Sequence, residues 1–276
     1  MESISKDGVS EAPVGVFDSG VGGLTVAREI MRQLPEENIV YFGDTARVPY
    51  GSKSQDNIIR FSRQIIHFLQ SKKVKAIVIA CNTASALALD TVKDELDIPI
   101  IGVIVPGARA AVKETKNGKI GVVGTEATIN SETYTKVIQS MNPKAQVKGK
   151  ACPLFVPLVE EGFAKHRITE EVIDIYISEF KDTEIDTMIL GCTHYPLLRS
   201  RIMAYLGDKV HIVNPAYETA IELKDILETA GIANHSGKKA SYEFYVSDAA
   251  EKFTKLANTI LPYDVATTKK INIEEY

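Results

Sequence analysis

The sequence predicts an α/β fold: two similar α/β domains with mostly parallel sheets, related by a pseudo-twofold duplication. Three observations carry that reading. Short runs rich in Val and Ile alternate with longer stretches of helical period, the signature of βαβ units with right-handed crossovers. Most of the short runs are apolar throughout rather than alternating, which marks strands buried on both faces of a parallel sheet. A seven-residue segment also occurs twice, each copy with a cysteine at its fifth position, roughly one small domain apart along the chain.

The first strand is expected at residues 14–17. It runs into Asp18-Ser19-Gly20-Val21-Gly22-Gly23-Leu24, a glycine-rich turn that opens a helix. No Lys-Ser/Thr follows the glycines and G-x-G-x-x-G is absent, so this is neither a P-loop nor a dinucleotide fingerprint. The glycines are read as letting the backbone approach a compact ligand, with Asp18 and Ser19 at the strand end aimed at it. Asp18 also suits a helix N-cap. A second strand, 39–42, leads into a turn-rich loop whose Tyr50 and Gly51 would close over the end of the sheet. Arg47 in that loop is open between a carboxylate anchor and a surface pair with Asp44. Over residues 55–72, Ile58, Phe61, Ile65, Ile66 and Leu69 fall at spacings of three and four and form one helical stripe. Further strands are expected at 76–80, 100–103, 119–123, 187–190, 210–213 and 242–246. These eight divide best into two sheets of about four. One domain would comprise 1–104 with 217–276, and the other 105–216 inserted between them. The chain would cross at 100–106 and 215–219.

Composition narrows the class. With 45% hydrophobic and 25% charged residues, the chain is an ordinary folded protein rather than a disordered, collagenous or coiled-coil one. A net charge of −4 offers no electrostatic footprint for nucleic acid or an anionic membrane. Residues 1–13 lack a basic run followed by an apolar one, so no secretory leader is expected. The longest apolar stretch, 98–108, is broken by Pro99, Gly102, Pro106 and Gly107, well short of the ~20 residues a membrane span needs. Three cysteines are too few for a disulfide scaffold, and a cytoplasmic protein with reduced thiols is expected. No Cys or His cluster has metal-ligand spacing, since Cys192 and His194 alone are an incomplete set. Attention therefore falls on the thiols.

The duplicated segments are Ile77-Val78-Ile79-Ala80-Cys81-Asn82-Thr83 and Met188-Ile189-Leu190-Gly191-Cys192-Thr193-His194. Each has three apolar residues, a small one, the cysteine, then two polar residues at an expected helix start. Ligands of open α/β sheets bind beyond the strand carboxyl ends, where helix N-termini offer free N–H groups. A thiol placed there is expected to ionise below its usual pKa of about 8.5. Two facing thiols, one ionised and one not, would remove a proton from one face of a carbon and return one to the other. The plain structural alternative is two small residues packed at strand ends. Asn82, Thr83 and Thr193 would hold a small anion, and His194 would serve Cys192 as proton partner. His67, His166, His211 and His235 are read as structural.

Several segments together resemble the signatures of the glutamate racemases, within the aspartate/glutamate racemase family. They are Phe17-Asp18-Ser19-Gly20-Val21-Gly22-Gly23-Leu24, Pro49-Tyr50-Gly51, Ala80-Cys81-Asn82-Thr83-Ala84, Gly124-Thr125, the run from Ala151 to Gly162, and Gly191-Cys192-Thr193-His194-Tyr195-Pro196. The resemblance implies a cofactor-independent enzyme that interconverts L- and D-glutamate for peptidoglycan, often as a homodimer, with no metal and with the active site in the interdomain cleft. It implies that Cys81 takes the α-proton from D-glutamate with Asp18 assisting, and Cys192 from L-glutamate with His194 assisting. It also implies a substrate site lined by Asp18, Ser19, Tyr50, Gly51, Asn82, Thr83, Thr125, Glu161, Thr193 and His194. Cys152 is read as buried packing. Val105 stands where the family carries a polar residue, and Asn214-Pro215 where Asp-Ser is more usual. A racemase of a related amino acid such as aspartate, a cysteine hydrolase or lyase, and a small-ligand-binding module remain as alternatives.

Overall fold

Ten strands form among the described residues, eight of them from the apolar runs, arranged in two separate parallel sheets. The computed structural model describes residues 9–265 and 267–276. Residues 1–8, within the stretch read as lacking a leader, lie outside the described residues. The strands are β1 Val14–Asp18, β2 Ile39–Gly43, β3 Ala76–Ile79, β4 Ile100–Gly102, β5 Lys119–Gly124, β6 Gln146–Ala151, β7 Thr187–Gly191, β8 His211–Val213, β9 Tyr242–Val246 and β10 Thr268–Lys270. One sheet has the order β10-β9-β2-β1-β3-β4 and the other β6-β5-β7-β8. Every pairing is parallel.

The two sheets therefore hold six and four strands, not about four each. The two strands without a sequence signal, β6 and β10, are both edges. Their sequences, Gln-Val-Lys-Gly-Lys-Ala and Thr-Lys-Lys, carry lysines and lack the apolar run that burial on two faces demands. Apart from β9 and β10 the sheets are topological copies: β2-β1-β3-β4 matches β6-β5-β7-β8 strand for strand. β3 and β7 occupy the same place and precede Cys81 and Cys192. β9 and β10 extend only the first sheet, reached from β8 through the helix Pro215–Thr229. The outward crossing is the helix Ile104–Glu114, between β4 and β5.

Both sheets are covered on both faces, as alternation of side chains within each strand requires. In the first, Val14, Val16, Tyr41 and Val78 pack with Leu24 and Ile30 of the helix Leu24–Gln33 and Leu223 of the helix Pro215–Thr229. Phe17, Phe42, Ile77 and Ile79 face the other way, onto Ile58, Ile65, Phe68 and Leu69 of the helix Gln55–Ser71. That helix starts at Ser54, whose hydroxyl caps Asn57 N. In the second sheet Ile120, Val122 and Ile189 meet Ala108, Ala111 and Ile138, while Val123, Met188 and Leu190 meet Ile173, Ile177 and Ile202. No described helix is long and apolar enough to cross a membrane.

Asn214-Pro215 makes a sound helix start. The Asn214 side chain accepts from Ala216 N at 3.2 Å, and Pro215 at the first helical position forfeits only an N–H that has no partner in the helix. Val105 is half-buried in the crossing helix Ile104–Glu114.

One buried ion pair ties four segments to the back of the first sheet. Lys75 Nζ lies 2.6 Å from Glu37 Oε2, and both side chains are almost wholly buried. Lys75 also donates to the carbonyls of Ser10 and Ile232, and Glu37 accepts from Asn234 N. Burial pulls the ammonium below its ordinary pKa, with Glu37 opposing. Lys75→Met leaves the Glu37 carboxylate buried without its cation and is expected to cost about 3–5 kcal/mol in urea unfolding. Adding Glu37→Gln should recover much of that loss.

Candidate active site

The end of β1 is organised by one carboxylate. Asp18 is fully buried, and its Oδ2 accepts from Gly20 N at 3.1 Å and Gly23 N at 2.9 Å, which curls the turn and starts the helix Leu24–Gln33. Its Oδ1 accepts from Thr193 Oγ1 at 3.3 Å, across to the second sheet. Tyr41 closes the turn by donating to Gly20 O at 2.8 Å. The glycines are needed for packing against protein rather than against a ligand. A Cβ on Gly22 would stand 2.4 Å from His194 Nδ1 and 2.5 Å from Thr193 Oγ1, and one on Gly23 would stand 2.3 Å from Asp18 Cβ. The tight turn is the price of bringing the second cysteine segment this close.

The two cysteine segments occupy matching places with different local structure. Register pairs Phe17 with Ile79 and Gly124 with Gly191, so each cysteine follows the strand beside the first strand of its sheet. Cys81 is the N-cap residue of the short helix Asn82–Leu87. Cys192 starts no α-helix. A turn and the 3-10 segment Tyr195–Leu198, with Pro196 in its first turn, intervene before the helix Arg199–Leu206.

Residues from both segments line one narrow cavity of about 30 Å³, little more than a water molecule occupies. Ser19, Tyr50, Gly51, Cys81, Asn82 and Thr83 reach it from the first sheet's loops, and Thr125, Cys192, Thr193 and His194 from the second's. Asp18 lies beneath, touching the cavity through Thr193. Glu161 is not brought there: it is exposed and pairs with Lys252 at 2.9 Å. Its neighbour Glu160 lines the cavity instead, together with Val156 one helical turn earlier. One residue along a helix is a 100° rotation, enough to exchange cavity for solvent. Val48 and Pro49 complete the wall. The only sequence signal for Glu160 is its i,i+4 spacing from Val156. Arg47 is neither an anchor nor a surface pair. It donates to the buried Asp44 at 2.7 Å and to Gln64 at 2.5 Å, and lies over the Phe61 ring, while Asp44 also accepts from the Tyr50 hydroxyl. Cys152 is fully buried and its carbonyl accepts from Tyr195.

Hydroxyls and amides prepare the walls. Thr83 Oγ1 lies 2.9 Å from Thr125 Oγ1, a bond between the loops of the two sheets. Thr125 also caps the helix Glu126–Asn130 through Thr128 N. His194 stands between Cys192 Sγ, 3.9 Å from Nδ1, and Glu160 Oε1, 3.1 Å from Nε2.

Electrostatics differentiate the thiols. Burial pushes the Cys81 thiol up to about 12, with the Asp18 carboxylate adding to the rise; the Ala84 N–H and Ser19 hydroxyl oppose it. The expectation of a lowered pKa thus fails at Cys81, because removal from water outweighs a six-residue helix. Burial also raises the Asp18 carboxyl, held back by His194 and by its three donors. Burial pulls His194 down, yet its bonds to Cys192 and Glu160 outweigh that and lift the imidazole to about 10. Glu160 falls below its usual value, since the His194 bond and charge overcome its burial. At neutral pH the cavity thus holds a proton-bearing thiol on one side. On the other, Cys192 faces the His194 imidazolium.

The sequence profile of the Asp/Glu/hydantoin racemases matches residues 15–222. The chain belongs to that family. Family relatives include the glutamate racemases of Geobacter metallireducens, 43% identical over 95% of this chain and 97% of its own, and Oceanobacillus iheyensis, 45% identical over 94% and 96%. Among solved family structures, a glutamate racemase of Bacillus anthracis superposes with a TM-score of 0.92 at 42% identity, covering 95% of this chain and 98% of that one. A glutamate racemase of Francisella tularensis in complex with D-glutamate gives 0.91 at 40%, covering 97% and 100%.

The His194–Glu160 pair makes a pH prediction. Because the His194 pKa is raised from about 6.5 to about 10, the stability it adds is complete below about 6.5 and lost as pH rises through about 10. Glu160→Gln removes the carboxylate charge from one of the two bonds that raise it. Nitrogen-detected NMR of His194 should show the imidazolium titrating at lower pH in that variant; an unchanged titration would refute the pairing.

Proposed function

We propose that this chain is a glutamate racemase that uses two thiols and no cofactor to interconvert L- and D-glutamate, supplying D-glutamate for peptidoglycan. The observation that carries it is one small cavity lined by Cys81 and Cys192, each following the equivalent strand of a duplicated sheet. Glutamate is favoured over aspartate because relatives at 43–48% identity over most of the chain are glutamate racemases, whereas the likeness to a Picrophilus torridus aspartate racemase, at 17% identity and a TM-score of 0.60, is one of fold alone. A hydrolase or lyase leaves the second, matched cysteine without a purpose.

In the L-to-D direction Cys192, as thiolate, takes the α-proton, and Cys81, which burial keeps protonated, delivers its own proton to the opposite face. The reverse direction exchanges the roles. Asp18 assists at Cys81 and His194 at Cys192, the latter held by Glu160. Ser19, Tyr50, Gly51, Asn82, Thr83, Thr125 and Thr193 hold the two carboxylates and the ammonium group. The same reading divides the chain into 1–104 with 217–276 and 105–216, supported by the sheet membership of the strands. It places the protein in the cytoplasm as a homodimer. Ile175 and Ile168, 62% and 44% exposed, offer apolar surface for that contact, and sedimentation should give twice 30.3 kDa.

Circular dichroism of L-glutamate incubated with the purified chain, without added cofactor, should decay to zero. Cys81→Ser and Cys192→Ser should each lose roughly 10²-fold or more of the rate, the scale of a general acid–base group. With a glutamate analogue activated for elimination only proton removal is needed, so Cys192→Ser should still process the D-form and Cys81→Ser the L-form. If both favour one enantiomer, or either racemises normally, the two-thiol mechanism is wrong.

A further inference from the structure

Two buried hydrogen bonds join the sheets in a reciprocal pattern that the reaction scheme does not use. Thr25, in the helix Leu24–Gln33, sets its hydroxyl 3.1 Å from the carbonyl of Thr193, the residue after Cys192. Tyr134, in the helix Thr133–Met141, donates its hydroxyl to Asn82 Oδ1 at 2.7 Å, the residue after Cys81. The helix of Thr25 belongs to the crossover after β1, and that of Tyr134 to the crossover after β5. β1 and β5 hold the same place in their sheets. Each sheet's first crossover thus grips the residue next to the other sheet's cysteine. Thr25 is 1% exposed and Tyr134 3%, and neither lines the cavity.

We propose that Thr25 and Tyr134 are a matched pair of positioning residues, Thr25 registering the Cys192 side of the cavity and Tyr134 the Cys81 side. The proposal rests on the two-thiol reading above. Tyr134 occupies the oxygen of the Asn82 amide, which leaves the amide nitrogen free to donate into the cavity. Thr25 has one proton and two carbonyls within reach, Thr193 O across the sheets and Gly22 O at 2.9 Å in its own turn. It links the Asp18 turn to the Cys192 turn, which meet where Gly22 faces His194. Proton transfer is sensitive to shifts well under 1 Å, so loosening one cysteine turn should impair that thiol before the other.

The variants are Thr25→Val, Thr25→Ser and Tyr134→Phe, close in shape to the native residues. Iodoacetamide alkylation followed by peptide mass spectrometry reads each thiol without requiring activity. Thr25→Val should speed alkylation at Cys192 relative to Cys81 by roughly threefold or more, Tyr134→Phe should do the opposite, and Thr25→Ser should return towards wild type. Racemisation of glutamate is thermoneutral, so kcat/KM is equal in both directions and cannot report the asymmetry. The primary isotope effect with 2-deuterated glutamate can. It should rise for the L-enantiomer in Thr25→Val and for the D-enantiomer in Tyr134→Phe. Equal changes at both thiols, no change, or a serine variant no better than valine would overturn the proposal. A wild-type chain inactive on glutamate would sink the functional reading and leave the alkylation result to decide the bracing.

Discussion

The Asp18 carboxylate is the interaction on which the site depends. It is shut away from water, so its bonds must come from protein, and it finds three: two backbone N–H groups of its own turn and the hydroxyl of Thr193. The first two fold the turn and begin a helix; the third reaches the other sheet. Burying a carboxylate is costly unless its oxygens are occupied, and here their occupants bring the second cysteine segment against the first. The close approach at Gly22 and Gly23 follows from it, since any Cβ there would strike His194, Thr193 or Asp18 itself.

Duplication supplies the rest. Two sheets that share a four-strand order each place a cysteine beyond the same strand, and both cysteines line one cavity. The copies have diverged around the two cysteines. Cys81 faces a carboxylate and heads a short helix, whereas Cys192 faces an imidazole locked by Glu160 and heads a turn. A duplicated scaffold thereby carries two cysteines in unlike surroundings.

What was legible in the sequence follows burial. The central strands β1, β3, β5 and β7 are apolar throughout because both faces are covered, and their positions are clear from composition alone. β6 and β10 leave no such trace because an edge strand meets solvent. The cysteine segments are conspicuous because they occur twice. Glu160 occurs once, in a helix, with no motif beyond its spacing from Val156, and its importance arises only when the chain folds against His194. Glu161, the neighbour that sequence favours, points to solvent and Lys252. The acidity of Cys81 was misjudged for a related reason: a helix start is visible in sequence, but the water excluded around a thiol is not.

The edges of the two sheets have a consequence beyond the site. An open sheet presents unpaired N–H and C=O groups at each side, a template on which other chains can add strands. Here β4, β8 and β10 are only three residues long, and β6 and β10 bear lysines, with Lys150 tied to Glu179 and Lys270 to Asp248. No edge combines length with an apolar face. Short, lysine-bearing edges of this kind disfavour the strand-by-strand addition that the apolar central strands would otherwise support.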